Sequence, residues 1–429
     1  MSLLGTGHTP QAGSSAEAEA LIAEARARAR RRRRQIALAV LGAVAVAAGT
    51  LTATGVFDGG RPAASASGGA GGAAAVPPGP PPYFIDATST GSAYSSPEIR
   101  ASATGRLVAS TPIGSDPRLR GYDPPYGLAA TGPDSFVVGL MTPTDCATQF
   151  FRFTINGHGQ PGPLTQVGPT RPGDLTSMAV AAGGGLIAYV INGSGCPKLG
   201  HASYLGVFDP MTGRTRQWTD VPAYVSQLSM SANGRLLAFS QQLTKPVPQS
   251  KGAFQITGSQ VRVLATDAAP GPLEARSRVA ASFSAQESQF TAPAVLLSPT
   301  GTSFYLCAQP FAFPKRGVRK ITNTASIVVY RTATGKATGV LASWATSYPI
   351  SADGAGSGTA PPAPSCSTMA LDPSGRFLLV PYLATPGDPS QTSTGSLTAA
   401  RINTATGARS DWTISYGAGQ IQGDMSIAW

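Results

Sequence analysis

From Tyr83 onward, apolar side chains come in short runs separated by Gly, Pro, Asp, Asn and Ser, a strand-and-turn pattern without helical periodicity. The clearest unit is Leu371-Asp372-Pro373-Ser374-Gly375-Arg376-Phe377-Leu378-Leu379-Val380, which reads as a strand end, a tight turn and a second strand. Copies stand at Ser298–Leu306 and Ser231–Phe239, with a weaker one at Ala182–Tyr189. A second unit alternates with it, a strand followed by a Thr-Gly turn and another strand. It occurs at Val207–Arg214, Val328–Lys336 and Ala400–Gly407, and near the start at Ile99–Arg106. Glycine supplies the positive φ of such turns, and an Asp or Asn near the turn's start bonds its own backbone.

With the strands of the first unit termed a and b and those of the second c and d, each set is a four-stranded antiparallel meander, the blade of a β-propeller. Blades are expected at 126–167, 175–219, 225–278, 292–342 and 366–414. Tyr83 to Ser110 supplies only b, c and d strands. Asp424–Trp429 matches the a strands at Ser226–Met230 and Ser367–Leu371. The C-terminal strand is therefore predicted to pair with the N-terminal blade and close a six-bladed ring. Seven blades is the alternative count, should a long connection hide a degenerate one.

The Ser-Pro-x-Gly-like a–b turns and Asp-x-x-Thr-Gly c–d turns resemble those of WD40-like and YVTN-like bacterial propellers. The layout as a whole is similar to membrane-anchored propeller proteins of high-GC bacteria. That layout begins with a cytoplasmic tail, 1–35, whose Ser15–Arg34 segment has high helix propensity and ends in Arg30–Arg34. Next comes an uncharged apolar run, 36–57, long enough at 1.5 Å per residue to cross a bilayer core of about 30 Å. The arginines before it predict a cytoplasmic N-terminus, with cleavage as a signal peptide the competing reading. Residues 58–82 are almost all Gly, Ala, Ser and Pro, a linker with a root-mean-square span of about 25–30 Å. The extracytoplasmic propeller occupies 83–429.

Charge changes the picture little beyond the tail. Residues 1–57 hold seven of the 32 basic and three of the 21 acidic residues, which leaves 25 against 18 for the rest. That mildly basic surface has no Lys/Arg cluster interleaved with aromatics, so nucleic-acid binding is not expected. The four cysteines, Cys146, Cys196, Cys307 and Cys366, all follow the predicted span. Their blade positions predict disulfides Cys146–Cys196 and Cys307–Cys366 on the face where b–c and d–a connections open. Buried free thiols are the alternative.

Chemistry is sparse. Gly157–Gly162 has the letters of GxGxxG but lies in a c–d turn, and neither GxSxG nor HExxH occurs. His158 and His201 fall on opposite faces. Calcium held by Asp145, Asp174, Asp220, Asp353 or Asp424 is the one cation worth naming, without EF-hand spacing to support it. No catalytic, metal or cofactor residue is therefore assigned. The long connections 191–202, 242–258, 309–324, 343–365 and 383–395 gather on one face, where binding is expected, and Trp344, at the start of the longest, is the binding-loop candidate. The expected function is a non-enzymatic binding, scaffold or sensor module for a protein or envelope ligand, carried on a single-pass membrane protein. The alternative is a lactonase-like hydrolase acting in the central channel. The a strands, reading Leu-Ser-Met-Ser, Ala-Val-Leu-Leu-Ser and Met-Ala-Leu-Asp, nearly lack the carboxylates and histidines such a channel needs.

Overall fold

The computed structural model describes residues 79–90, 93–94, 97–111, 113, 119, 123–142, 146–192, 203–221, 225–246, 254–284, 294–308, 320–349, 368–382, 396–415 and 425–429. The chain divides into units 1–73 and 74–429, and every described residue belongs to the second. The predicted tail, span and nearly all of the linker lie outside them. Among the described residues no helix is long and apolar enough to cross a membrane.

Short strands joined by glycine turns pair with their successors, and six sheets result. The first contains β1 (Tyr83–Thr90), β2 (Ala93–Tyr94), β3 (Glu98–Ala101) and β4 (Leu107–Ser110). In the second, β5 (Asp123–Ala130), β6 (Ser135–Thr142), β7 (Ala147–Thr154) and β8 (Thr165–Gln166) follow in order, with β9 (Arg171–Pro172) also on β7. The third comprises β10 (Asp174–Val180), β11 (Ile187–Asn192), β12 (Tyr204–Phe208) and β13 (Thr215–Thr219).

The fourth sheet has β14 (Val225–Met230), β15 (Leu236–Pro246) and β16 (Phe254–Ala265). After β17 (Gly271–Pro272) and a single helical turn, α1 (Leu273–Arg276), it ends with β18 (Arg278–Ser284). The fifth is β19 (Val295–Leu297), β20 (Ser303–Ala308), β21 (Lys320–Arg331) and β22 (Ala337–Pro349). The sixth is β23 (Ala370–Leu371), β24 (Phe377–Tyr382), β25 (Ser396–Asn403) and β26 (Arg409–Ser415). The last strand, β27 (Met425–Ala428), pairs antiparallel with β1, from Ile85↔Ala428 to Thr88↔Met425. The protein is thus a six-bladed β-propeller closed in the predicted way.

The core is divided as the architecture requires. Six apolar clusters fill the six spaces between blades. Val137 and Phe150 of the second blade, for instance, pack with Leu175, Tyr189 and Phe208 of the third. A b strand has a neighbour on each face, so Phe136–Leu140 is buried at every position and reads as an unbroken apolar run. The closing blade also buries Arg100 between its strands. The Arg100 guanidinium donates to Asp86 at 2.9 Å and to the Gly105 carbonyl at 3.1 Å, and it pairs with Glu98.

Two boundaries differ from expectation. The blade expected at 225–278 reaches Ser284, because its c–d connection detours outward: β17 pairs parallel with Trp218–Thr219 and covers the outer edge of the third blade. The blade expected at 292–342 reaches Pro349, because β21 and β22 stay paired from Tyr330↔Ala337 to Lys320↔Pro349. The expected connections 242–258, 309–324 and 343–365 accordingly contain strand at their ends, with β15 and β16 paired out to Pro246↔Phe254.

Candidate functional site

The a strands, β5, β10, β14, β19, β23 and β27, come first in their sheets and surround the axis. They line a channel cavity of about 170 Å³ that extends to the a–b turns. Its walls are mostly aliphatic, from residues such as Leu128, Met230, Leu296 and Ile427, with Thr131, Ser229 and Asp372 as the polar side chains. Innermost strands have no neighbour to receive their inward amides, and the preceding blade supplies acceptors. The Leu228 amide donates to Ser177 Oγ at 2.9 Å, and the Leu297 amide to Ser229 Oγ at 2.8 Å. Composition alone did not single out these two serines.

At the a–b turns, backbone bonds join one blade to the next. Gly183 donates to the Thr131 carbonyl at 2.6 Å, Ala182 to Ala232 at 3.0 Å and Ala232 to Pro299 at 2.8 Å. Among the described residues that line the channel, Asp372 is the one titratable group, and its carboxylate is taken up locally. It accepts the amides of Phe377 at 2.7 Å and Ser374 at 3.2 Å, together with the Ser374 hydroxyl. That arrangement closes an Asx-type turn.

On the opposite face lie the b–c and d–a connections. Cys146 sits in the b–c corner of the second blade at φ 52°, and its carbonyl accepts the Gly173 amide at 2.6 Å. Cys307 is buried near the end of β20 beside Ala325 and Trp344. Neither carries a free thiol. Cys196 and Cys366 lie outside the described residues, as do His201, Asp145, Asp353 and Asp424. His158 is exposed at a c–d turn. Asp220 is exposed just beyond β13, while Asp174 begins β10. Among the described residues no three metal-ligating side chains come together.

Trp344 is not at the mouth of a loop. It lies within β22 opposite Ala325, 8% exposed, with the Arg409 guanidinium of the sixth blade 5.2 Å from its ring centroid. Its position corrects the expectation: the strand runs five residues past it, so the ring packs between blades. Trp218 and Trp429 are likewise buried, leaving this face without a described tryptophan platform.

No family model matches the chain, and no curated protein does either. Solved structures similar to it include TolB from Acinetobacter baumannii, 11% identical, with 81% of this chain and 67% of that one covered at a TM-score of 0.42. A candidate 6-phosphogluconolactonase of Bacteroides uniformis is also 11% identical, with 81% and 99% covered at 0.40. The tricorn protease is 11% identical at 0.38; 78% of this chain aligns, spanning 35% of that one.

Proposed function

We propose that this chain is a single-pass membrane protein whose extracytoplasmic propeller is a non-enzymatic binding module for a protein or envelope ligand. The observation that carries the reading is the channel. Among the described residues its lining side chains are mostly aliphatic, and Asp372, the titratable group among them, already accepts three hydrogen bonds within its own turn. A hydrolase acting there would need several convergent carboxylates or histidines, with pKa values set by one another and by burial. Binding is assigned to the face of the b–c and d–a connections, where the fourth and fifth blades extend as paired ribbons. The disulfides Cys146–Cys196 and Cys307–Cys366 would tie neighbouring blades on that face. The uncharged run 36–57 behind Arg30–Arg34 supports the anchor and its orientation.

The test places photo-crosslinking residues at Lys245 on the loop face and at Ala333 on the turn face of the full chain in its native membrane. Protein or envelope-polymer adducts from position 245 and not from 333 support the reading. Such adducts from 333 alone overturn the assignment of the face. Turnover of lactones or esters that disappears in Asp372→Asn overturns the non-enzymatic reading. Release of the chain from membranes by carbonate, tested separately, would refute the anchor.

A further inference from the structure

The two kinds of turn share one face, and their tips repeat a charge. Four c–d turns are built alike. In each, the glycine amide donates at 2.8 Å to the carbonyl four residues back: Gly105 to Ala101, Gly213 to Asp209, Gly335 to Arg331 and Gly407 to Asn403. The next residue is Arg106, Arg214 or Lys336 in three of them, each exposed. The a–b turns add Arg235 and Arg376 directly after their own glycines, also exposed. Arg331, exposed at the end of β21, makes a sixth. Bonds between the turn types, Thr266 N–H to Arg235 O at 3.0 Å and Thr404 N–H to Arg376 O at 2.9 Å, hold both sets on the same face.

Carboxylates on this face are fewer. Asp134 and Asp267 are exposed at turns. Asp209 is folded into its own turn, accepting the Thr212 hydroxyl at 2.8 Å and the Met211 amide at 2.8 Å, bonds that hold its carboxyl below the usual range. Asp411 is paired with Arg409, and Asp372 is buried in its own a–b turn.

Amid these cations one c–d tip carries a large apolar side chain. Met211 is 87% exposed, at the turn position occupied by Ala103, Ala333 and Ala405 in the other three. Scattered surface hydrophobics need no explanation, but this one projects from the tip of a cationic face. Cations on such a face meet anionic headgroups, and a long flexible apolar side chain among them can enter the interface. The chain also enters the propeller here: the Pro82 carbonyl accepts the Ser102 amide at 2.8 Å, beside the c–d turn of the closing blade.

We propose that the turn face docks on a bilayer surface bearing anionic lipid headgroups, with Met211 entering the interface and the ring of cations contacting phosphates. The inference rests on the proposed anchor, which would deliver this face to the bilayer through residues 58–82.

The experiment is hydrogen–deuterium exchange on the full chain in nanodiscs of phosphatidylcholine, with or without phosphatidylglycerol. The expected result is exchange slowed several-fold at 209–214 and 331–336 in the anionic discs alone. High salt should remove the effect, Arg214→Glu with Lys336→Glu should abolish it, and Met211→Ala should weaken it. Both reversed side chains are exposed, so the fold is expected to survive, and unchanged exchange in β6 and β24 checks that it does. Equal exchange in the two discs, or protection that persists after charge reversal, overturns the proposal. Inorganic polyphosphate is the control: if it protects the same turns while anionic discs do not, the partner is a soluble polyanion and the lipid assignment falls. Failure of the chain to enter discs of either kind refutes the anchor instead, and docking is then read from the same turns with added phosphatidylglycerol vesicles.

Discussion

Gly213 and Gly335 offer a controlled test of how the blades are held together. Each ends a c–d turn of the same build, both have positive φ (70° and 65°), and both donate at 2.8 Å to the carbonyl four residues back. They differ in what a methyl group would meet. At Gly213 nothing lies within 4 Å of an added Cβ, whereas at Gly335 the Ala280 carbonyl oxygen, on β18 of the neighbouring blade, would be 1.6 Å away. Gly213→Ala should therefore cost only the left-handed backbone penalty, about 1–2 kcal/mol. Gly335→Ala carries that penalty and must also push one blade's turn away from the next blade's backbone. Overpacking of this kind costs about 1–3 kcal/mol on its own, so a total of roughly 2–5 kcal/mol is expected.

Denaturant midpoints followed by tryptophan fluorescence, with slopes checked for constancy, give the two losses directly. The Gly335→Ala loss should exceed that of Gly213→Ala by at least about 1 kcal/mol. Equal losses would mean that the turn does not seat against β18, and the inter-blade contact would have to be given up.

Three other outcomes follow from buried groups. Asp86→Ala should cost about 3 kcal/mol, near the lower end for a broken buried pair because Glu98 and the Gly105 carbonyl still hold Arg100; a double-mutant cycle with Arg100→Met that shows no coupling would contradict this. Trp429→Ala removes a fully buried ring and its bond to Ser102 Oγ at 2.9 Å, so a loss of about 3–5 kcal/mol and faster exchange in β1 are expected, and unchanged exchange there would count against closure by β27. Burial raises the pKa of Tyr189, Tyr204 and Tyr305, so folding holds their protons more tightly than the unfolded chain does. Stability should be intact below the unfolded value near 10 and fall as pH rises above it; ionisation at 295 nm without accompanying unfolding would contradict the burial.

The ring was legible because its turns have local causes. A glycine at positive φ and an Asp or Asn accepting amides two or three residues on are written in the sequence, and both kinds of turn follow from them. Closure was legible because Met425–Ala428 has the pattern of an a strand left over. The outer ends of β21 and β22 were not. Thr322-Asn323-Thr324 and Ala345-Thr346-Ser347 carry no apolar alternation, and only pairing with each other makes them strand. Trp344 was misplaced for the same reason. The burial of Arg100 with Asp86 depends on strands brought into register, which residue spacing alone does not disclose. The cations at the turn tips were visible one by one, but only the placement of both turn types on one face makes them a ring.

The two faces thus differ in a way that bears on what each can bind. On the turn face, backbone bonds link Thr131 to Gly183, Ala182 to Ala232 and Ala232 to Pro299, so the a–b turns of the second to fifth blades are fixed relative to one another, and the third, fourth and fifth of these blades carry cations at their tips. A rigid, repetitive display of charge suits a partner that is itself planar and repetitive, and needs no side-chain code. On the loop face the described symmetry is broken at the fourth and fifth blades, where β15–β16 and β21–β22 continue as ribbons to Pro246↔Phe254 and Lys320↔Pro349. Selective recognition requires such asymmetry, since a partner that meets six equivalent edges cannot be held in one orientation. Contacts to a specific ligand should therefore concentrate over those two blades, while the turn face contributes affinity for a surface without choosing among partners.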